Sequence, residues 1–189
     1  MHWRCSADAR SSLSQLRVTL RTGEPRRCPS CLAAQVADEG IALDEHFMRL
    51  ALREAERALE HDDVPVGAVV VHAGEVAALG HNERELRQDP TAHAEVLAIR
   101  EASRTLGRWR LLGCVLYVTL EPCAMCAGAV VLARLRRVVY GAGDPKAGAA
   151  GSVLDVLGEP SLNHRPRVDA GLFAAESAAL LRAFFGERR

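Results

Sequence analysis

The run Val115-Leu116-Tyr117-Val118-Thr119-Leu120-Glu121-Pro122-Cys123-Ala124-Met125-Cys126 decides the fold, because it passes from a strand into a helix within two residues. Residues 115–120 are apolar apart from Thr119, include two Val and one Tyr, and are of strand length. Pro122 has no N–H and suits a helix start, where the first backbone N–H groups lack partners anyway. A helix is predicted from about Cys123 to Arg134, followed by a second strand over residues 137–140. Two strands joined through a helix lie parallel, so this stretch reads as a βαβ unit with its cysteines at the turn.

Working outward, Phe47, Leu50, Ala51, Ala55, Ala58 and Leu59 recur at helical spacing between Asp44 and about His61. Residues 66–71 and 76–79 are short apolar runs separated by His72-Ala73-Gly74-Glu75, which predicts a hairpin with glycine at its turn. Asp89-Pro90 breaks the chain, and Thr91 is the expected N-cap of a helix reaching about Leu106. That helix would place His93 in its first turn with Glu95 close behind. A Gly- and Ala-rich loop over residues 141–151 exceeds a minimal connection and is a candidate functional loop. A strand over residues 167–169 and a helix over about residues 172–185 close the chain. The alternation predicts an α/β fold, a three-layer α/β/α sandwich around a mixed sheet of about five strands.

The chain has 189 residues, 49% of them hydrophobic, which suits one globular domain with a sizeable core. No apolar run approaches the roughly 18 to 20 residues of a membrane span, so a soluble, cytoplasmic protein is expected. Six cysteines without an export signal argue for metal ligation and burial over a disulfide framework. Cys114 reads as a small core residue. Formal net charge is zero, but residues 1–35 carry six arginines against Asp8 and Glu24, leaving the remainder mildly acidic. Residues 1–40 are expected to be an N-terminal extension, disordered or arising from an upstream start, and 41–189 the functional domain. Within the extension, Cys28-Pro29-Ser30-Cys31 resembles half a zinc site but has no second pair.

Cys-x-x-Cys alone is shared by redox motifs and zinc ribbons. At a strand-to-helix turn, Cys123 and Cys126 lie three apart on one side of a helix start, where unpaired N–H groups favour thiolates. Thr91-Ala92-His93-Ala94-Glu95 supplies what a redox motif leaves unexplained: a third ligand type and a carboxylate two residues on. By itself His93 reads as a cap residue and Glu95 as ordinary first-turn charge. Together, one His and two Cys leave the fourth tetrahedral position of a zinc ion open to water, the mark of a catalytic site. Zinc lowers the pKa of bound water from about 15.7 towards 7, and Glu95 is placed to move protons as base and then acid. Hydrolytic deamination of an amidine-like ring carbon is the natural reaction class.

From about Leu43 to Phe185 the chain resembles the bacterial tRNA adenosine deaminases, of the zinc-dependent deaminases with a cytidine deaminase-like fold. The motifs are Val64-Pro65-Val66-Gly67-Ala68-Val69, Asn82, residues 91–95, Tyr117 to Cys123, Met125 to Ala129, and residues 144–152. The resemblance implies conversion of the wobble adenosine of a tRNA to inosine, one zinc per subunit on His93, Cys123 and Cys126, and a homodimer. It also implies Glu95 as proton shuttle and Asn82 as the amide that hydrogen-bonds the base, with Val64 as a pocket wall and Ala94 in the substrate-binding set. Asp144 and Lys146 resemble contacts to the anticodon backbone, and His164, Phe184 and Phe185 match positions near the RNA. A strongly basic terminal helix usual in the family is here interrupted by Gly186-Glu187, so weaker RNA affinity is expected. The alternatives are a deaminase of free guanine or cytosine and, from another class, a silent zinc- or RNA-binding module, against which Glu95 argues. The riboflavin-pathway deaminase is disfavoured by its wider cysteine spacing.

Overall fold

A computed structural model describes residues 29–186 and 188. The chain divides into two units, Met1–Ile41 and Ala42–Arg189. The Cys28/Cys31 motif falls outside the described side chains. The first helix, α1 (Pro29–Ala58), begins well before the expected Asp44. From Ala42 on, it buries Phe47, Met48, Ala51, Ala55 and Ala58, the stripe that helical spacing predicts.

A short 3-10 turn leads to the hairpin β1 (Gly67–His72) and β2 (Glu75–His81). Its two-residue turn puts both Ala73 (φ 53°) and Gly74 (φ 83°) in the left-handed region. That is the turn whose twist matches paired strands. A single helical turn, α2 (Arg84–Arg87), precedes α3 (Ala94–Thr105). Then come β3 (Cys114–Leu120), α4 (Ala124–Ala133), β4 (Arg137–Ala142), β5 (Arg167–Ala170) and α5 (Ala174–Gly186). The five-stranded sheet has the order β2-β1-β3-β4-β5. β1 pairs antiparallel with β2 and β3, whereas β3, β4 and β5 run parallel. This is the mixed sheet expected from the βαβ reading.

Helices cover both faces, which is why β3 and β4 are almost continuously buried rather than alternating. On one face Val69, Val71, Tyr117 and Val139 pack against Phe47, Met48 and Ala51 of α1. α5 also packs on β4, with Ser177 facing Gly141. On the other, Ala68, Val70, Leu116, Val118 and Val138 meet Ala94, Ala98 and Ala102 of α3 and Ala127, Val130 and Val131 of α4. Gly80 decides how closely α3 approaches: a Cβ there would lie 2.7 Å from the Ala94 carbonyl oxygen. The start of α3 therefore rests on β2 without a side chain between.

A polar clamp ties α1 to the sheet. Tyr117 donates its hydroxyl to Asp44 Oδ1 at 2.6 Å, and Arg137 grips both Asp44 oxygens at 2.8 and 2.7 Å while its Nε reaches Asp169. Two opposed carboxylates hold the Arg137 guanidinium more firmly charged than usual. Among the described residues, no helix is long and apolar enough to cross a membrane.

Candidate active site

Two helix starts meet at the C-terminal end of β3. His93 is the N-cap of α3 in extended conformation (φ −78°, ψ 148°), and Cys123 is the N-cap of α4 (φ −72°, ψ 173°). Thr91 is not the cap. Asp89 Oδ1 accepts both the Thr91 amide at 2.8 Å and its hydroxyl at 2.7 Å, which closes residues 89–91 into a turn and delays the helix.

His93 Nδ1 lies 3.7 Å from Cys123 Sγ and 3.6 Å from Cys126 Sγ, and the two sulfurs are 3.6 Å apart. Among the described residues these three form the group able to hold a metal ion. The neighbouring Cys126 thiol, and then His93, bring Cys123 down to about 3, while contact with Cys123 and burial push Cys126 up. The Cys123 sulfur beside His93 raises the imidazole. Glu95 is only 3% exposed, and burial pushes its carboxyl up to about 7. A group poised there exchanges protons readily near neutrality.

Asn82 is buried, and its side chain spans the site wall: Nδ2 donates to the Val64 carbonyl at 3.0 Å and Oδ1 accepts the Ala94 amide at 2.9 Å. One N–H and one lone pair remain to it. Asn82 thus joins Val64 to Ala94, the residue between His93 and Glu95. Asp63, buried and not foreseen from sequence, holds the other side of that wall by accepting the Val64 and Glu85 amides and an Arg84 contact.

Asp144 is half-buried and Lys146 exposed, on a loop held by Glu121, a second buried carboxylate missed by sequence reasoning. Burial raises the Glu121 carboxyl, but donors from Ser152, Asp144 and Ala150 outweigh it and leave it below the ordinary value. Its only signal was its place before Pro122-Cys123.

His164 and Phe184, both expected near RNA, have contacts of their own within the protein. His164 Nε2 pairs with the Leu135 carbonyl at 2.6 Å, just past the C-terminal end of α4 and away from the cysteines at its start. Phe184 is 6% exposed and belongs to the interior, whereas its neighbour Phe185 is 51% exposed. The two rings meet edge to face, with centroids 5.2 Å apart, so Phe184 backs the exposed ring of Phe185.

The MafB19-like deaminase family matches residues 43–189. The tRNA-specific adenosine deaminase of Bacillus subtilis (strain 168) is 51% identical over 146 residues, spanning 77% of this chain and 91% of that protein. A structure solved in a study of A-to-I editing by tRNA:A34 deaminases at the wobble position superimposes with a TM-score of 0.70. It is 51% identical and covers 72% of this chain and 99% of that one. A guanine deaminase from Nitrosomonas europaea is more distant, 26% identical with a TM-score of 0.66, covering 75% of this chain and 84% of that one.

Proposed function

This chain belongs to the MafB19-like deaminase family, among the tRNA-specific adenosine deaminases, and from that membership we propose that it hydrolyses the wobble adenosine of a tRNA to inosine. The observation that carries the reading is a buried carboxylate, Glu95, two residues from His93 in a His/Cys/Cys triangle. Zinc is the metal that fits. With bonds of about 2.3 Å to sulfur and about 2.0 to 2.1 Å to nitrogen, tetrahedral ligand atoms stand about 3.8 Å (S to S) and about 3.6 Å (N to S) apart. The triangle's edges are 3.6 to 3.7 Å.

Bound there, zinc would supply the Lewis acidity that lowers the pKa of water from about 15.7 towards 7. Glu95 accepts a proton from the attacking water and passes it to the ring nitrogen beside the reacting carbon; it then takes the second proton from the hydroxyl now on that carbon and delivers it to the amine, so that a carbonyl forms as ammonia leaves. A carboxyl at about 7 serves both directions. Asn82 orients the base with its remaining N–H and lone pair, while Val64 and Ala94, fixed by the same amide, shape the pocket. Lys146 and Asp144 meet the anticodon backbone, and exposed Phe185 is the aromatic of its pair able to touch RNA.

A homodimer is part of this reading. α4 carries Met125 and Leu132 exposed on one face, with Leu132 72% exposed, and an apolar stripe of that kind suits burial against a second subunit. A cytoplasmic location follows from the substrate. Residues 41–189 carry the activity, with 1–40 as an extension.

Incubation with a tRNA anticodon stem-loop bearing wobble adenosine, followed by inosine detection, tests the reading. The second reading, a free-base deaminase, is favoured by the likeness to a guanine deaminase. Ammonia release from guanine without inosine in the stem-loop would establish it instead.

A further inference from the structure

Glu121 sits where β3 ends, its amide bound to the Ala142 carbonyl at 2.8 Å, and its side chain is 2% exposed. Its carboxylate receives four donors, all from one segment. Oε1 accepts the amides of Ala150 at 2.9 Å and Ser152 at 3.1 Å, and Oε2 accepts the Asp144 amide at 3.0 Å and the Ser152 hydroxyl. A carboxylate offers about four lone-pair sites. None is left for a substrate, so this group does not act on one directly.

The same segment is bound to the backbone beside the metal ligands. The Ala149 amide donates to the Pro122 carbonyl at 2.8 Å, and Gly148 forms a β-bridge with Cys123. Gly148 lies so close over the carboxylate that a Cβ there would be 2.4 Å from Glu121 Cδ. At the tip, Asp144 Oδ1 accepts the Lys146 amide at 2.9 Å and the lysine side chain is exposed.

We propose that Glu121 is a positioning residue: it holds residues 144–152 against the start of α4, so that Asp144 and Lys146 meet RNA in a preset geometry. The proposal rests on the RNA reading above. Were the segment to lift away, a buried carboxylate would lose every partner, which makes the closed position strongly preferred. Ordering the loop before binding spares that entropy cost when RNA arrives. The consequence falls on affinity for RNA rather than on bond breaking.

Lys146 is the only lysine in the chain, so a lysine-specific protease reads this loop alone. The full-length zinc-loaded protein, with no lysine in any tag, is compared with Glu121→Gln and with the milder Ser152→Ala. Gln cannot accept on both sides. Cleavage after Lys146 is expected to rise by about tenfold or more in Glu121→Gln, because proteolysis tracks the open population. Ser152→Ala, which removes one donor of four, is expected to give about two- to fivefold and carries the test if Glu121→Gln does not fold. Zinc per chain stays unchanged, and KM for the wobble-adenosine stem-loop rises by about fivefold or more while kcat changes by less than about twofold.

Unchanged cleavage in both variants overturns the anchor. Faster cleavage with KM unmoved, or a fall in kcat alone, overturns the positioning role. A parent protein that leaves the stem-loop unedited strikes the proposed function instead, and the protease comparison then decides the anchor alone.

Discussion

Glu95 and Glu121 are both buried carboxylates within a few residues of the metal-ligand triangle, and they differ in opposite senses. Glu95, in the first turn of α3, is raised to about 7 by burial. Glu121, at the end of β3, is lowered because loop donors outweigh the burial that acts on both. Burial alone therefore does not assign a role. A carboxylate whose burial outweighs its donors keeps a proton to exchange, while one saturated with donors becomes structural. The α3 start is arranged for chemistry and the β3 end for holding a loop in place.

The largest effect expected tests what the two regions share. Cys123→Ala combined with Cys126→Ala should abolish zinc retention and deamination, read by metal analysis and inosine formation; full zinc occupancy in that variant would sink the ligand assignment. Glu95→Gln separates the two glutamates next. It should lower kcat by about 10² to 10⁴-fold, the usual contribution of a proton-transfer group, with zinc retained. Its thermal midpoint should not fall, because burial there outweighs the donors that favour the charged form. A clear loss of stability would erase the contrast with Glu121.

Glu121→Gln should do the reverse. Losing hydrogen bonds to a charged group costs about 2 kcal/mol, which for a domain of this size is a drop of about 4 to 8 °C in thermal midpoint. Calorimetry of both variants side by side checks the opposite signs. Lys146→Ala probes the tip of the held loop. It should lower the logarithmic salt slope of RNA binding by about 0.7, the share of one phosphate contact on a single strand, with zinc content unmoved. The smallest effect is expected from deleting residues 1–35, since the deaminase family match begins at residue 43; a loss of activity beyond about tenfold, or about 1.4 kcal/mol on the barrier, would show otherwise.

Much of this was legible beforehand. The βαβ unit follows from two apolar strand-length runs around Pro122, and its strands do pair in parallel, Val115 with Arg137 through Leu120 with Ala142. The hairpin was readable from His72-Ala73-Gly74-Glu75 between two short apolar runs. His93, Cys123 and Cys126 were readable because metal chemistry demands particular atoms, and helix starts at both places bring them into one triangle. What misled was local competition. Asp89 captures Thr91 and moves the helix start to His93, and α2 was too short to have a period.

The amino-acid order by itself determined the alternation of strands and helices, the donor set and the presence of a carboxylate two residues from His93, because each rests on spacing or on atom type. Tertiary structure alone decided in which buried glutamate burial outweighs the donors and in which the donors outweigh burial. It also decided that Asn82 spends half of its amide on Val64 and Ala94, that His164 is tied to Leu135, and that Phe184 is buried while Phe185 is exposed. Those outcomes depend on which groups from distant parts of the chain arrive within hydrogen-bond reach, here residues 144–152 arriving at Glu121. Sequence spacing carries no record of that meeting.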